Sequence, residues 1–222
     1  MGSREFVLEG DEAHHLSRVC RAEVGDQATL FNGRGLRAAA KIVNISKRDV
    51  QLTINSEISS APDQGLPVIG CPLPKGDRAS MVIEKCTELG VAQFIPLFSK
   101  RSVVHPRDAK LDKLRRTMIE ACKQSHRPYL MEIAELTSFE EFIRRDLRGI
   151  KVLLNPTGDV NLSQVTASVD AFAVGPEGGW DESELAIAKA NDWQIASISG
   201  NILRMETAIL AAASWARIRS SS

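Results

Sequence analysis

Gly175-Pro-Glu-Gly-Gly179 and, further along, Ile202-Leu-Arg-Met-Glu-Thr-Ala208 are the two stretches whose reading decides the fold. A short apolar run precedes each, Asp170-Ala-Phe-Ala-Val174 before the first and Trp193 to Ile198 before the second. Each then opens onto a helical pattern. Two loops of this kind at strand ends suggest one composite pocket, because ligands of open α/β sheets bind beyond the carboxyl ends of the strands. An enzyme or a nucleotide-type binder is the expectation.

Working outward, Lys151-Val-Leu-Leu-Asn155 and Val68-Ile-Gly-Cys71 read as further buried strands, and Val91 to Leu97 as another. Asp77 starts a helix with Ala79, Val82, Ile83, Cys86 and Leu89 on one face and Gly90 placed to end it. A second amphipathic helix carries Leu111, Leu114, Met118, Ile119 and Cys122. Asp181 with Glu184 three residues on is a capping-box start, and the last helix runs from about Met205 toward Arg217. This alternation predicts an α/β domain with a parallel sheet and right-handed crossovers.

The opening of the chain has a different rhythm. Ala28 to Phe31, Leu36 to Ile45 and Val50 to Ile54 alternate like strands, with Asn32-Gly33 as a hairpin signal and Ser46 to Asp49 as a polar turn. Asp11 to Val19 reads as a short helix leading in. Several short strands with tight turns suggest a small β-barrel. Ser59 to Pro67 has linker chemistry. The expected domains are 1–66, β-rich, and 67–222, α/β.

Composition excludes some functions and leaves others. A length of 222 residues allows one large domain or a small one plus a medium one, and 5% aromatics means a mostly aliphatic core. Net charge is zero, so nothing follows from overall basicity. Between Phe98 and Leu130, however, nine cations (Lys100, Arg101, Arg107, Lys110, Lys113, Arg115, Arg116, Lys123, Arg127) face only Asp108, Asp112 and Glu120. Such a patch suits a phosphate backbone, and a solvated helix face would look the same. Cys20, Cys71, Cys86 and Cys122 lack the spacing of metal clips or disulfide frameworks, so reduced, packed thiols are expected. No signal peptide or membrane-length apolar run is evident, which makes a cytoplasmic location the expectation.

The glycine loop lacks the lysine and hydroxyl residue of a P-loop and the G-x-G-x-x-G dinucleotide pattern. By itself it could be only a turn. Arg204 and Glu206 fall near a helix N-terminus, as functional groups or as a salt-bridged surface pair. Ala208, Ala211, Ala212 and Ala213 indicate close packing of that helix, in a core or at a subunit interface. His14 and His15 have no metal-ligand company, so no metal site is expected.

Taken together, the two C-terminal motifs resemble the SPOUT superfamily of S-adenosylmethionine-dependent RNA methyltransferases. Within it they are similar to the bacterial family that methylates N3 of a uridine in small-subunit (16S) ribosomal RNA. Other segments carry the resemblance along nearly the whole chain: His14 to Arg21 with Gly25-Asp26, Lys75 to Arg78, Glu84 to Val91, Ser99 to Val104 and Glu120 to Arg127. Two places depart from the pattern. The third loop reads Ile198-Ser-Gly-Asn201 rather than Leu-Gly-x-Arg, and Lys123 stands where an acid is expected.

The resemblance implies a PUA-like RNA-binding domain followed by a SPOUT domain with a C-terminal trefoil knot, and homodimerisation through the knot helices. It implies S-adenosyl-L-methionine held, in bent form, by Leu154, Asn155, Gly175, Pro176, Glu177, Gly178, Gly179, Ile198, Ser199, Gly200, Asn201 and Leu203. Methylation at N3 requires loss of its proton, by a base or by electrostatic stabilisation of the uracil anion. Arg204 is the candidate to stabilise that anion at a carbonyl oxygen or to bind the target phosphate, and Glu206 or Glu177 the base or the group orienting Arg204; helix capping is the other reading of Glu206. Arg18, Arg21, Lys100, Arg101, Arg115, Arg116 and Arg127 are the candidate RNA contacts, with ribosomal RNA in the assembled small subunit as the expected partner. Another RNA or base as substrate, or a non-catalytic RNA-binding role, stays open at this point.

Overall fold

A computed structural model of the chain describes residues 4–59, 67–102, 111–147 and 149–220. The chain divides into two compact units, residues 1–62 and 63–222. The segment read as a linker, apart from its ends, lies outside the described residues, as do Arg107 and Lys110 of the basic cluster.

In the first unit, strands β1 (Arg4–Glu9), β2 (Gln27–Phe31), β3 (Leu36–Ile45) and β4 (Asp49–Ser59) form an antiparallel sheet in the order β1-β4-β3-β2. The barrel expected from the sequence is thus a four-stranded sheet, and β1 is a strand the sequence reading did not identify. Between β1 and β2 the chain forms helix α1 (Gly10–His14) and a π-helical turn, His15–Val19, where one short helix was expected. Ala13, Ala40, Ile42, Val50 and Leu52 make the core, with Leu8 and Leu16 packed on it.

The β2–β3 connection is wider than a two-residue Asn-Gly hairpin. Asn32 does not adopt positive φ; its Oδ1 accepts from the N–H groups of Arg34 (2.8 Å) and Leu36 (3.1 Å), while Gly33 (φ 73°) and Gly35 (φ 94°) take the left-handed positions. Asparagine here acts as an Asx-type acceptor rather than as a left-handed residue. The turn at Ser46 is as read, with Ser46 Oγ accepting from the N–H groups of Arg48 and Asp49.

The second unit is built on a parallel sheet. Its strands are β5 (Val68–Cys71), β6 (Gln93–Phe98), β7 (Glu132–Ile133), β8 (Thr137–Ser138), β9 (Ile150–Leu154), β10 (Val160–Asn161), β11 (Val169–Val174) and β12 (Trp193–Ser197). The order is β10-β12-β9-β11-β5-β6-β7, with β8 also pairing to β6. Its helices are α2 (Asp77–Glu88), α3 (Leu111–Ser125), α4 (Phe139–Ile143), α5 (Glu182–Ala190) and α6 (Met205–Ser220). The central strands are apolar throughout because both faces are covered; Val152, Leu153, Ala171, Phe172 and Ala173 are all fully buried. Gly90, with φ 82°, ends α2 where the sequence put it.

Helix α4 escaped the sequence reading, although it is short and begins with a complete Ser138/Glu141 capping box. It supplies Phe139 and Phe142, whose rings lie 4.7 Å from Trp180 and 5.3 Å from Trp193. Among the cysteines, Cys71, Cys86 and Cys122 are buried and Cys20 exposed, all as free thiols. Burial pushes Cys71 well up and Cys86 up to about 12, which keeps both as neutral packing groups at pH 7.

The register of three neighbouring strands positions everything that follows. Leu154 on β9 is paired with Val174 of β11 on one side and with Ala196 of β12 on the other. The loops beginning at Asn155, Gly175 and Ile198 therefore leave the sheet together. These are the loops that the resemblance assigns to the knot.

Asp181 caps α5, its Oδ1 accepting from the Ser183 N–H (3.2 Å) and hydroxyl (2.6 Å). Those Ser183 bonds first, and then Lys100, hold its carboxyl down at about 2. A depressed carboxylate stabilises the fold above its unfolded value and loses that contribution as pH falls through the folded one. Asp181→Asn keeps a capping oxygen but no charge. Wild type should therefore melt above Asp181→Asn at neutral pH, and the gap should close between about pH 4 and pH 2. Thermal unfolding of both proteins across that range checks it.

Candidate active site

The crevice beyond β9, β11 and β12 is a cavity of about 510 Å³, within the usual size range of small-molecule sites. Ten of the twelve residues expected to hold a cofactor line it: Leu154, Asn155, Gly175, Pro176, Glu177, Gly179, Ile198, Ser199, Asn201 and Leu203. Gly178 and Gly200 are the two that do not. Gly178 faces away, toward Arg101, whose Cβ lies 3.3 Å from where a Cβ on Gly178 would stand.

The walls are largely apolar, with Val174, Trp180, Ile202, Met205 and Ala208 completing them. Trp180 donates from Nε1 to the Leu154 carbonyl at 3.0 Å. This bond fastens the far end of the glycine loop to the end of β9. A Cβ at Gly175 would meet the Trp180 ring at 3.1 Å, so the first glycine allows the indole to lie against the loop. Across the crevice, Asn155 N–H donates to Ala196 O (2.9 Å), and Asn201 N–H to Ser199 Oγ (2.9 Å).

One end of the cavity is charged. Arg78, in the first turn of α2, places Nη1 2.8 Å from Glu177 Oε1 and 3.6 Å from Glu206 Oε1. Its guanidinium is pushed up from its already high value, first by the hydrogen bond to Glu177. Glu206, in the first turn of α6, is buried and not part of the cavity lining; its Oε2 has no hydrogen-bond partner among the described residues. Arg204 lines the cavity, is exposed, and makes no side-chain hydrogen bond or ion pair among the described residues. Arg204 and Glu206 are therefore not the paired surface ions that the sequence left as an alternative; the partner of Glu206 is Arg78. Sequence reasoning missed Arg78, Trp180 and Met205 as site residues. The motif Lys75-Gly-Asp-Arg78 was noticed, but its neighbours in space could not be.

The candidate RNA contacts fall into three groups. Arg18 and Arg21 are exposed on the first unit. Lys100 and Arg101 brace the glycine loop: Lys100 Nζ donates to Ser183 Oγ (2.7 Å) and Asp181 Oδ1 (3.3 Å), its N–H donates to Glu184 Oε1 (2.9 Å), and Arg101 Nη1 donates to Gly178 O (3.1 Å). On α3, Arg115 pairs with Asp112 and Glu135, while Arg116 is exposed beside α2. Arg127 is half-buried and donates to Thr87 O at the end of α2 (3.1 Å).

Comparison with known proteins agrees along the chain. Residues 66–217 match the family described as RNA methyltransferase domain, and residues 8–55 the one described as RNA methyltransferase PUA domain. The ribosomal RNA small subunit methyltransferase E of Synechocystis is 32% identical, over 91% of this chain and 69% of its own. That of Bacillus subtilis is 31% identical, over 94% and 88%. Among solved structures, the ribosomal RNA small subunit methyltransferase E of Neisseria gonorrhoeae bound to S-adenosyl methionine superposes with a TM-score of 0.87 at 28% identity, covering 96% of this chain and 90% of its own.

Trp180→Phe tests the fastening of the glycine loop. It keeps the ring against Gly175 and Phe139 but leaves the buried Leu154 carbonyl without its donor, a loss of about 1–3 kcal/mol. For a chain of this size that lowers Tm by roughly 2–4 °C per kcal/mol. An unchanged Tm would mean that the bond is replaced or unimportant.

Proposed function

We propose, on the premise that this chain belongs to the RNA methyltransferase family of ribosomal RNA small subunit methyltransferase E, that it methylates N3 of a uridine in small-subunit ribosomal RNA, using S-adenosyl-L-methionine. One observation carries the reading: a cavity of about 510 Å³ at three aligned strand ends, lined by Arg204, which has no side-chain partner among the described residues. The residues suit the cofactor. Apolar walls from Leu154, Val174 and Leu203 fit a nucleoside, and the close-lying backbone of the Gly175–Gly179 loop offers N–H and C=O groups to it.

When bound, S-adenosylmethionine supplies an electrophilic methyl group on a sulfonium. The chain's own residues supply the rest. The loops hold the reacting groups in line, a positioning effect of roughly 7–11 kcal/mol in favourable cases. Glu177 lines the cavity with its side chain about half exposed (48%), so it can take the N3 proton and pass it to water. Glu206 does not line the cavity and is assigned no proton transfer. Arg204 stabilises the uracil anion at a carbonyl oxygen.

In this reading, residues 1–66 form the RNA-binding PUA-like domain and 67–222 the methyltransferase domain. Arg18, Arg21 and Arg116, exposed, are the RNA contacts we favour, whereas Lys100 and Arg101 can reach RNA only from positions bracing the glycine loop. Arg115 and Arg127 would first have to leave the partners that hold them. The target base reaches the cavity unstacked from its neighbours. A homodimer through the α6 region accords with the exposure of Ile202 (85%) and Ile218 (68%). No helix among the described residues is long and apolar enough to cross a membrane.

The test is methyl transfer from labelled S-adenosylmethionine to small ribosomal subunits lacking the modification, read by nucleoside mass spectrometry. Labelled 3-methyluridine is expected; label on another nucleoside overturns the N3 assignment. Arg204→Ala should lower kcat about 10²-fold with cofactor affinity nearly unchanged. RNA affinity should fall steeply with salt, and Arg116→Ala should lessen the log–log slope by about 1.

A further inference from the structure

Arg78 is assigned no role by the family resemblance or by the comparisons, yet it sits at the charged end of the cavity. Arg78 lines the cavity, and its guanidinium touches both acidic side chains of the site. The two carboxylates are not equivalent. Glu177 lies on the cavity surface and is half exposed, whereas the Glu206 side chain is only 11% exposed and lies off the lining. A buried carboxylate with one unpartnered oxygen is costly to maintain. Its one ion-pair partner among the described residues is Arg78, which itself lines the cavity.

We propose that Arg78 is a second catalytic arginine, stabilising the uracil anion together with Arg204, and that Glu206 is a positioning residue acting through Arg78. This rests on the function proposed above. Removing the N3 proton leaves a lone pair delocalised onto the two carbonyl oxygens that flank N3, O2 and O4. A site that stabilises this anion from both sides needs two donors, and the cavity offers two guanidinium groups. Arg204 meets one oxygen and Arg78 the other.

The ion-pair geometry gives the step its order. In the resting site, Arg78 is paired with Glu177. The N3–H bond breaks, the proton goes to Glu177, and the electron pair stays on the uracil ring. Glu177, now neutral, holds Arg78 less strongly, and the guanidinium turns its charge to the uracil oxygen. Glu206 keeps it from leaving the site. N3 then forms its bond to the methyl carbon as the carbon–sulfur bond breaks, that electron pair remaining on sulfur, which becomes a neutral thioether. Glu177 returns its proton to water.

The measurement is a double-mutant cycle of Arg78→Ala and Glu206→Gln on the full chain, with Arg78→Lys as the conservative variant. Methyl transfer to subunits lacking the modification gives kcat and KM. Calorimetry gives cofactor affinity, and thermal unfolding reports the fold. Arg78→Ala should lower kcat about 10²-fold, with KM and cofactor affinity within about threefold of wild type. Arg78→Lys should recover part of the loss, because it keeps the charge but not the fork. Glu206→Gln should lower kcat less than Arg78→Ala and add nothing to it in the double variant, as expected of a residue that acts only through another.

Unchanged kcat in Arg78→Ala overturns the catalytic role. Losses that multiply in the double variant overturn the positioning role of Glu206. A drop in cofactor affinity that accounts for the whole loss, in Arg78→Lys as well as Arg78→Ala, makes Arg78 a cofactor-binding residue and also overturns the proposal. The failure of the parent reading is seen separately, in the wild type: label on a nucleoside other than 3-methyluridine removes the uracil anion, whatever the variants do.

Discussion

The pairing of Leu154 with Val174 on one side and Ala196 on the other is the constraint on which the rest of the second unit depends. In a parallel sheet, side-chain direction has a period of two, so a slip of one residue would turn every side chain to the opposite face. Here β9 and β11 carry buried residues on both faces, so a slip would also disrupt the packing on both sides. Rigid packing in the core thus fixes where three loops begin, and one cavity at their shared origin follows. Trp180 extends this control beyond the sheet, since its N–H fastens the glycine loop to the same Leu154.

A second layer of control is electrostatic. Lys100, Arg101, Asp181, Ser183 and Glu184 form a connected set that ties the loop after β6 to the start of α5 and to Gly178. The ion pairs of Lys100 and Arg101 with Asp181 are exposed and of small value alone, whereas the Lys100 N–H bond to the buried Glu184 is partly shielded. Their number and their shared anchor, a capped helix N-terminus, make them a brace. The charged end of the cavity is arranged otherwise, with one guanidinium between two carboxylates from different segments, Glu177 in the glycine loop and Glu206 on α6. Helix α6 packs against both α2 and β11, which brings Arg78 and Glu206 within reach.

Much of this was legible because its signals are local. The apolar runs, the Asp181–Glu184 box and Gly90 are each read within a few residues, and the structure has them where the sequence put them. Asn32-Gly33 shows the limit of a local signal: the turn exists, but asparagine enters it as a side-chain acceptor. Strand β1 is nearly all exposed along its length, so its pattern has no buried face to announce it. The charged contacts were not legible at all. Arg78 meets Glu177 across 99 residues of chain, and Lys100 meets Asp181 across 81. Counting charges along the sequence put Lys100 and Arg101 in a basic patch, whereas space puts them on an acidic helix start.

The altered third loop is best understood from how the cavity is divided. Ile198 to Asn201 departs from the pattern of the resembled family, yet Ile198, Ser199 and Asn201 still line the wall, and Ser199 Oγ accepts from the Asn201 N–H to hold the turn. Gly200 lies off the lining with open space where a Cβ would be. A wall that meets its ligand mainly through backbone and apolar surface can change side chains so long as the chain path is kept, and β12 keeps it through its pairing with β9. The charged end is made of three side chains: replacing Arg78 leaves the buried Glu206 without its one ion-pair partner among the described residues, and replacing either carboxylate leaves Arg78 with one partner instead of two. Wall and charged end are thus held in different ways by one architecture: strand register sets the path of the loops, and ion pairs between distant segments set the place of Arg78, Glu177 and Glu206.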